Sequence, residues 1–350
     1  MREGPKADKC FRLGGHISPV TVIVDDCCAM VERNPLFRGT TFSFRRDGLQ
    51  SQTASSTYPT RRSFLASSAG VLAASSLASA QPAPPAAMKT GYAPVNGLKM
   101  YYEIHGSGEP LVLIHGGVVG ITMFGPNVDA LAKTRQVIAV ELQGHGHTAD
   151  IDRPMSVEAL ADDIAALIQY LGLKQADVMG YSLGGAVALQ TVFRHPQSVR
   201  KLVVASARFR RNGMYPEVLA AFDKMDASTG AQMKQSPLSK MYPNVNWEVL
   251  FGKLGEMGRK DFDWSKEVAA IRSPTMLVFA DADAVTLQHM VEFYSLLGGG
   301  QRDAGLDGSQ RSINELAILP GLTHYSLSAA PTLVAAVTPF LDAPMPKSPH

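Results

Sequence analysis

The sequence predicts an α/β architecture: a mostly parallel central sheet flanked by helices, with a helical cap inserted between two strands. Three observations predict it. From residue 98 the apolar runs are short, bounded by turn residues and separated by longer helical patterns. Two of those runs, PLVLIHGG (110–117) and QVIAVEL (136–142), lack polar–apolar alternation, as strands covered on both faces do. The rhythm then breaks near residue 206 and resumes at 274, so the stretch between is an insertion.

LKMYYEI (98–104) reads as the first strand, followed by the two runs above. SVEALADDIAALIQYLG (156–172) is an amphipathic helix: Ser156 is its N-cap, Leu160, Ile164, Leu167, Ile168 and Leu171 form one stripe, and Gly172 ends it. ADVMGY (176–181), a helix from Leu183 to about His195, and RKLVVAS (200–206) make a strand–helix–strand unit, which implies a right-handed parallel crossover. The insertion at 207–272 is helical in tendency and dense in Met and aromatic residues, among them Met214, Tyr215 and both tryptophans, Trp247 and Trp264. PTMLVFAD (274–281), a helix near 286–297, ELAILPG (315–321) and a helix near 331–342 complete the pattern, with GGGQRDAGLDGS (298–309) as a surface loop.

Composition excludes several classes of function. The 350 residues are 45% hydrophobic and 18% charged with a net charge of +2, which suits a soluble globular chain and gives no field for a polyanion such as nucleic acid. All three cysteines, Cys10, Cys27 and Cys28, precede the α/β pattern, so that pattern has neither a disulfide nor a thiolate zinc site available.

The chemistry starts at Gly180-Tyr181-Ser182-Leu183-Gly184, a G-x-S-x-G pentapeptide with a strand before it and a helix after it. A serine hydroxyl is a weak nucleophile, so it needs a base and an acid that orients the base. In this layout the acid and then the histidine follow the serine in sequence. Past the strand at 274–281 the histidines are His289, His324 and His350. His289 falls within a helix and reads as ordinary surface, and His350 lies in a Pro-rich tail, whereas His324 follows a strand in a Gly-Leu-Thr-His loop. FADAD offers Asp281 and Asp283 as the acid, while ARFRRNG after the preceding strand contains no carboxylate. The N–H of Leu183 and one from the His-Gly-Gly loop, at Gly117, are the candidate oxyanion donors.

Together the HGG, GHGHT, GYSLGG, FADAD and PGLTH motifs resemble the α/β-hydrolase superfamily over about residues 90–342. The resemblance implies the α/β-hydrolase fold, with a lid over the active edge of the sheet. It implies a triad of Ser182, Asp283 and His324, because the second aspartate of the comparable G-D-x-D pattern reaches the histidine. Two departures are visible: Glu141 stands where an Asp usually precedes the Gly-His-Gly turn, and Ala280 where a Gly often precedes the acid. His145, His147 and Asp150 miss the H-x-H-x-D-H zinc spacing, so neither a metal nor another cofactor is expected.

The implied reaction is cleavage of carboxylic esters, including lactones, of small to medium apolar substrates through an acyl-enzyme on Ser182. Val118, Tyr181, Met214, Tyr215 and Trp247 are the candidate substrate contacts. Carbon–carbon bond hydrolysis or cofactor-free haloperoxidation by the same triad is the alternative, and a catalytically idle protein that binds a hydrophobic ligand is another. Upstream, TRRSFLASSAGVLAASSLASA (60–80) resembles a twin-arginine export signal, with Arg61, Arg62 and an Ala78-Ser79-Ala80 cleavage site. Cleavage after Ala80 implies an exported, periplasmic or secreted chain that begins at Gln81, meets the export machinery and keeps no stable membrane association. Residues 1–59 are then either a disordered leader or an overlong reading frame, 81–90 a linker, 91–206 with 273–342 the core, and 343–350 a tail.

Overall fold

The computed structural model describes residues 88–346. The leader, the VTVIV run at 20–24, the export signal and its cleavage site, most of the linker and residues 347–350 lie outside the described residues.

The chain opens with β1 (Lys89–Val95) and β2 (Leu98–His105), an antiparallel hairpin closed by Asn96-Gly97, both at positive φ. That turn chemistry matches the twist of a hairpin, and β1 is a strand that the apolar pattern alone did not give. β3 (Pro110–Ile114), the short α1 (Asn127–Leu131) and β4 (Gln136–Val140) follow. Next come α2 (Val157–Tyr170), β5 (Ala176–Tyr181), α3 (Leu183–Arg194) and β6 (Val199–Ala205). Between β6 and the next strand lie α4 (Pro216–Asp223), α5 (Ala227–Met233), α6 (Pro237–Met241), α7 (Trp247–Arg259) and α8 (Ser265–Ala269). The chain then returns to the sheet with β7 (Thr275–Ala282), α9 (Leu287–Leu296), β8 (Glu315–Thr323) and α10 (Pro331–Asp342).

The eight strands form one sheet in the order β1-β2-β4-β3-β5-β6-β7-β8. β2 is antiparallel to β1 and β4, and every pair from β4 through β8 is parallel. Every residue of β5 is buried, including Asp177, which Arg200 holds at 2.6 Å. Separate apolar clusters cover the two faces, one including residues of α2, α3 and the helices after β6, the other residues of α1 and α10.

Local chemistry fixes the covering helices. Ser156 caps α2 by accepting the N–H of Ala159 at 3.2 Å, a bond that contributes about 1 kcal/mol. The buried Asp163 on that helix is held by both arms of Arg153, at 2.6 and 3.2 Å, so burial leaves no bare charge. Lys201, on the buried strand β6, donates to the carbonyls of Phe340, Leu341 and Ala343 at the end of α10. Those carbonyls have no partner within the helix, and the ammonium satisfies them where the helix dipole is negative.

Candidate active site

A parallel sheet puts the C-terminal ends of its strands on one edge, and the functional side chains are found there. His115–Gly117 follow β3, Ser182 follows β5, Ser206 follows β6, Asp283 follows β7 and His324 follows β8.

The turn from β5 into α3 is tight enough to dictate its residues. Ser182 sits at φ 53° and ψ −114°, a conformation that costs a non-glycine residue about 1–3 kcal/mol. A β-carbon on Gly180 would lie 2.0 Å from the carbonyl oxygen of Gly184, and one on Gly184 would lie 2.3 Å from that of Ile114. Only hydrogen fits at either position. The Ser182 N–H donates to the Ala205 carbonyl at 2.9 Å, which ties the strained turn to β6.

The hydroxyl held by this turn meets a chain of hydrogen bonds. Ser182 Oγ is 3.1 Å from His324 Nε2, and His324 Nδ1 is 2.8 Å from Asp283 Oδ1. The other carboxylate oxygen of Asp283 accepts from the Ser206 hydroxyl and from the Ala280 N–H at 3.1 Å, and the Val285 N–H reaches Oδ1 at 3.2 Å. Burial alone would push this carboxyl up. The bonds from His324, Ser206 and Ala280 outweigh burial and leave it below the usual carboxylate range. Asp283 therefore carries its charge at neutral pH and accepts the hydrogen bond of His324 Nδ1–H, which leaves Nε2 as the acceptor for the serine hydroxyl. Asp281, the other aspartate of FADAD, is exposed and accepts the N–H groups of Gly321 and Leu322 at 3.0 and 3.2 Å, pinning β7 to β8.

Of the two candidate oxyanion donors, Leu183 is the first residue of α3, where an N–H has no acceptor within the helix. A β-carbon on Gly117 would be 3.8 Å from the Leu183 side chain, so both backbones border one space. That space is a cavity of about 310 Å³ that also touches Ser182 and His324.

The other site residues separate. Val118, Tyr181 and Met214 line the cavity. Tyr181 also donates its hydroxyl to the His324 carbonyl, a positioning contact that a strand residue next to the serine did not advertise. Tyr215 and Trp247 do not line the cavity, contrary to expectation. Met214 bridges to Val285 in an extended conformation, so the next side chain points the opposite way, and Tyr215 is 42% exposed. Trp247 starts α7 and is buried against α5, where a β-carbon on Gly230 would meet the Trp247 carbonyl at 2.2 Å. Trp264 is the tryptophan that reaches the cavity. His289 is likewise not a surface residue: it is buried, stacks on Phe209 at 4.1 Å and accepts the Phe209 N–H at 3.2 Å.

Sequence reasoning also missed Ser206. No carboxylate directly follows β6, and Ser206 there is instead a donor to the carboxylate of Asp283. The departure at Glu141 is accommodated by the Gly-His-Gly turn. Burial raises its carboxyl against the pull of His147, whose ring Nδ1 lies 2.9 Å away and whose backbone N–H also donates to it. His145 is fully buried with Nδ1 on the Gln143 carbonyl, and Asp150 pairs with Lys253 at 2.7 Å.

Comparison with known proteins gives the same picture. A family profile described as alpha/beta hydrolase fold matches residues 109–228. The chain is 44% identical to a pimeloyl-[acyl-carrier protein] methyl ester esterase of Neisseria meningitidis, over 63% of this chain and 90% of that protein. It is 28% identical to the putative carbamate hydrolase RutD of Azorhizobium caulinodans, over 59% and 84% respectively. Among solved structures, the enol-lactonase from Burkholderia xenovorans superposes with a TM-score of 0.57 at 20% identity, over 72% of this chain and 100% of the other. The carboxylesterase CesB from Bacillus subtilis gives 0.58 at 19%, over 74% and 93%. At such identities the structural matches establish the fold alone.

Proposed function

The chain belongs to the alpha/beta hydrolase family, and from that premise we propose that it is a serine hydrolase cleaving carboxylic esters through an acyl-enzyme on Ser182. One observation carries the reading: the continuous chain from Ser182 Oγ through both nitrogens of His324 to the buried Asp283. In this mechanism His324 Nε2 takes the proton as Ser182 Oγ bonds to the ester carbonyl carbon, and Asp283 stabilises the imidazolium. The negative oxygen of the tetrahedral intermediate accepts from the N–H groups of Leu183 and Gly117. Collapse expels the alcohol with the proton from His324. Water, activated by the same imidazole, then releases the acid and restores the serine.

The 44% identity to a methyl ester esterase supports ester cleavage over other acyl transfers. The helices between β6 and β7 act as a lid in this reading, because Met214, Phe222, Met225, Leu254 and Trp264 from that segment line the cavity and make it largely apolar. The test is hydrolysis of a panel of p-nitrophenyl esters by the full chain. Ser182→Ala is expected to lower kcat by a factor on the order of 10³–10⁶, and an unchanged rate overturns the serine mechanism. We also propose that Arg61 and Arg62 direct twin-arginine export. Replacing both with lysine then retains the protein in the cytoplasm, and unimpaired export of that variant overturns the route.

A further inference from the structure

Arg208 is a cation in a mostly apolar cavity. It leaves β6 two residues past Ser206 and lines the space that Ser182 and His324 border. Its surroundings hold the side chain without neutralising it. Nη1 donates to the Arg211 carbonyl at 2.6 Å, and the guanidinium carbon lies 5.4 Å from the centre of the Phe262 ring. The nearest candidate counter-ion, Asp223, is paired with Arg211 instead. Asp261 at the rim is exposed and accepts the Phe262 N–H at 3.0 Å, and among the described residues no carboxylate lies within 4.0 Å of Arg208. Lys260 and Glu158 also line the cavity, and neither pairs with Arg208.

Asp223 thus serves Arg211 and leaves Arg208 without a carboxylate of its own. Burial, reinforced by Arg211, pushes the Arg208 guanidinium down to about 10, so it stays charged at neutral pH but at a cost. The N–H groups left over are Nε and Nη2, which donate to no protein acceptor among the described residues. They form one edge of the guanidinium, with two parallel donors spaced for the two oxygens of a carboxylate.

We propose that the ester substrate carries a carboxylate at its far end and that Arg208 holds it through this edge while Ser182 attacks the ester. The proposal rests on the ester reading above and narrows it to anionic esters. A partly desolvated charge gains most from a partner that brings its own opposite charge, and apolar walls between the two polar ends select the hydrocarbon spacer.

Two matched sets of substrates test it. One set pairs monomethyl with dimethyl esters of C5–C8 dicarboxylic acids, and the other pairs acetyl esters of ω-hydroxy acids with the methyl esters of the same compounds. In at least one set the wild-type kcat/KM is expected to favour the charged member by on the order of 10- to 100-fold. Arg208→Met collapses that ratio and Arg208→Lys restores part of it. The ratio is the readout because partial loss of fold lowers both members together. Calorimetry of the same C5–C8 dicarboxylates with Ser182→Ala, alone and combined with Arg208→Met, reads the contact without turnover. Binding that needs Arg208 supports the proposal even if no ester is cleaved, in which case it is the ester reading that fails. A preference for neutral members in both sets, or a charge preference that survives Arg208→Met, overturns the anionic-substrate proposal.

Discussion

The strand-end edge and the helices inserted between β6 and β7 border one cavity but hold their side chains by different means. At the edge, backbone geometry does the holding. Ser182, Asp283 and His324 each stand one residue past a strand, and Gly180 and Gly184 admit no larger residue. In the inserted helices, packing does it: α5 and α7 cross at Gly230 and Trp247, and Trp264 lies 4.3 Å from Phe262. The edge therefore places the polar atoms of Ser182, His324 and Asp283 to within a hydrogen bond, and the inserted segment shapes the walls with adaptable apolar side chains. Changes at the edge should alter rate, and changes in the helices should alter stability or substrate choice.

The largest effect that would break this division is at the acid. Asp283→Asn should lower kcat on a good ester by a factor on the order of 10³–10⁴, because the amide favours the wrong imidazole tautomer. Melting should change far less, and a mutant of near wild-type rate would remove Asp283 from the chemistry.

Next come the two tryptophans. Trp247→Ala is expected to cost about 3–5 kcal/mol of stability, read by denaturant unfolding, with the acyl-chain preference retained. Trp264→Ala is expected to move that preference toward bulkier acyl groups, because it enlarges the cavity wall. The reverse assignment would return Trp247 to the substrate site.

A smaller effect is acid sensitivity. Burial holds His115 at about 3 and His145 and His289 at about 4, against 6.5 for a free imidazole. As pH falls below 6.5 the unfolded chain takes up protons that the folded chain refuses, so stability declines from there to about 4. Each histidine contributes a limiting slope of about 1.4 kcal/mol per pH unit. Asp283, whose carboxyl is depressed in the folded chain, adds its loss only at still lower pH, as the carboxylate protonates. His289→Gln should flatten the slope of unfolding free energy between pH 6 and 4 by up to about 1.4 kcal/mol per pH unit, and an unchanged slope would contradict the burial of His289.

Legibility from sequence follows the same division. Strands buried on both faces read clearly because most of their residues are apolar, and the turn at Ser182 read clearly because its glycines are steric necessities. His324 and Asp283 could be placed because a parallel sheet gathers strand ends wherever they lie in the chain. The inserted helices were legible as helices but not as surfaces: an amphipathic pattern does not say whether an apolar face meets another helix or a cavity, hence Trp247 and Tyr215. His289 was hidden for a related reason, since a polar residue on a helix gives no sign of the Phe209 ring that will cover it. Arg208 reads as one of three arginines in ARFRRNG, and only the pairing of Asp223 with Arg211 sets it apart.

The central claim is a covalent acyl group on one serine. Intact-protein and peptide mass spectrometry after brief reaction with a fluorophosphonate ester tests it most directly. The account predicts a single phosphonyl adduct on the peptide containing Ser182, lost in Ser182→Ala and slowed in His324→Ala. An unmodified Ser182, or an adduct formed equally well without His324, would contradict it.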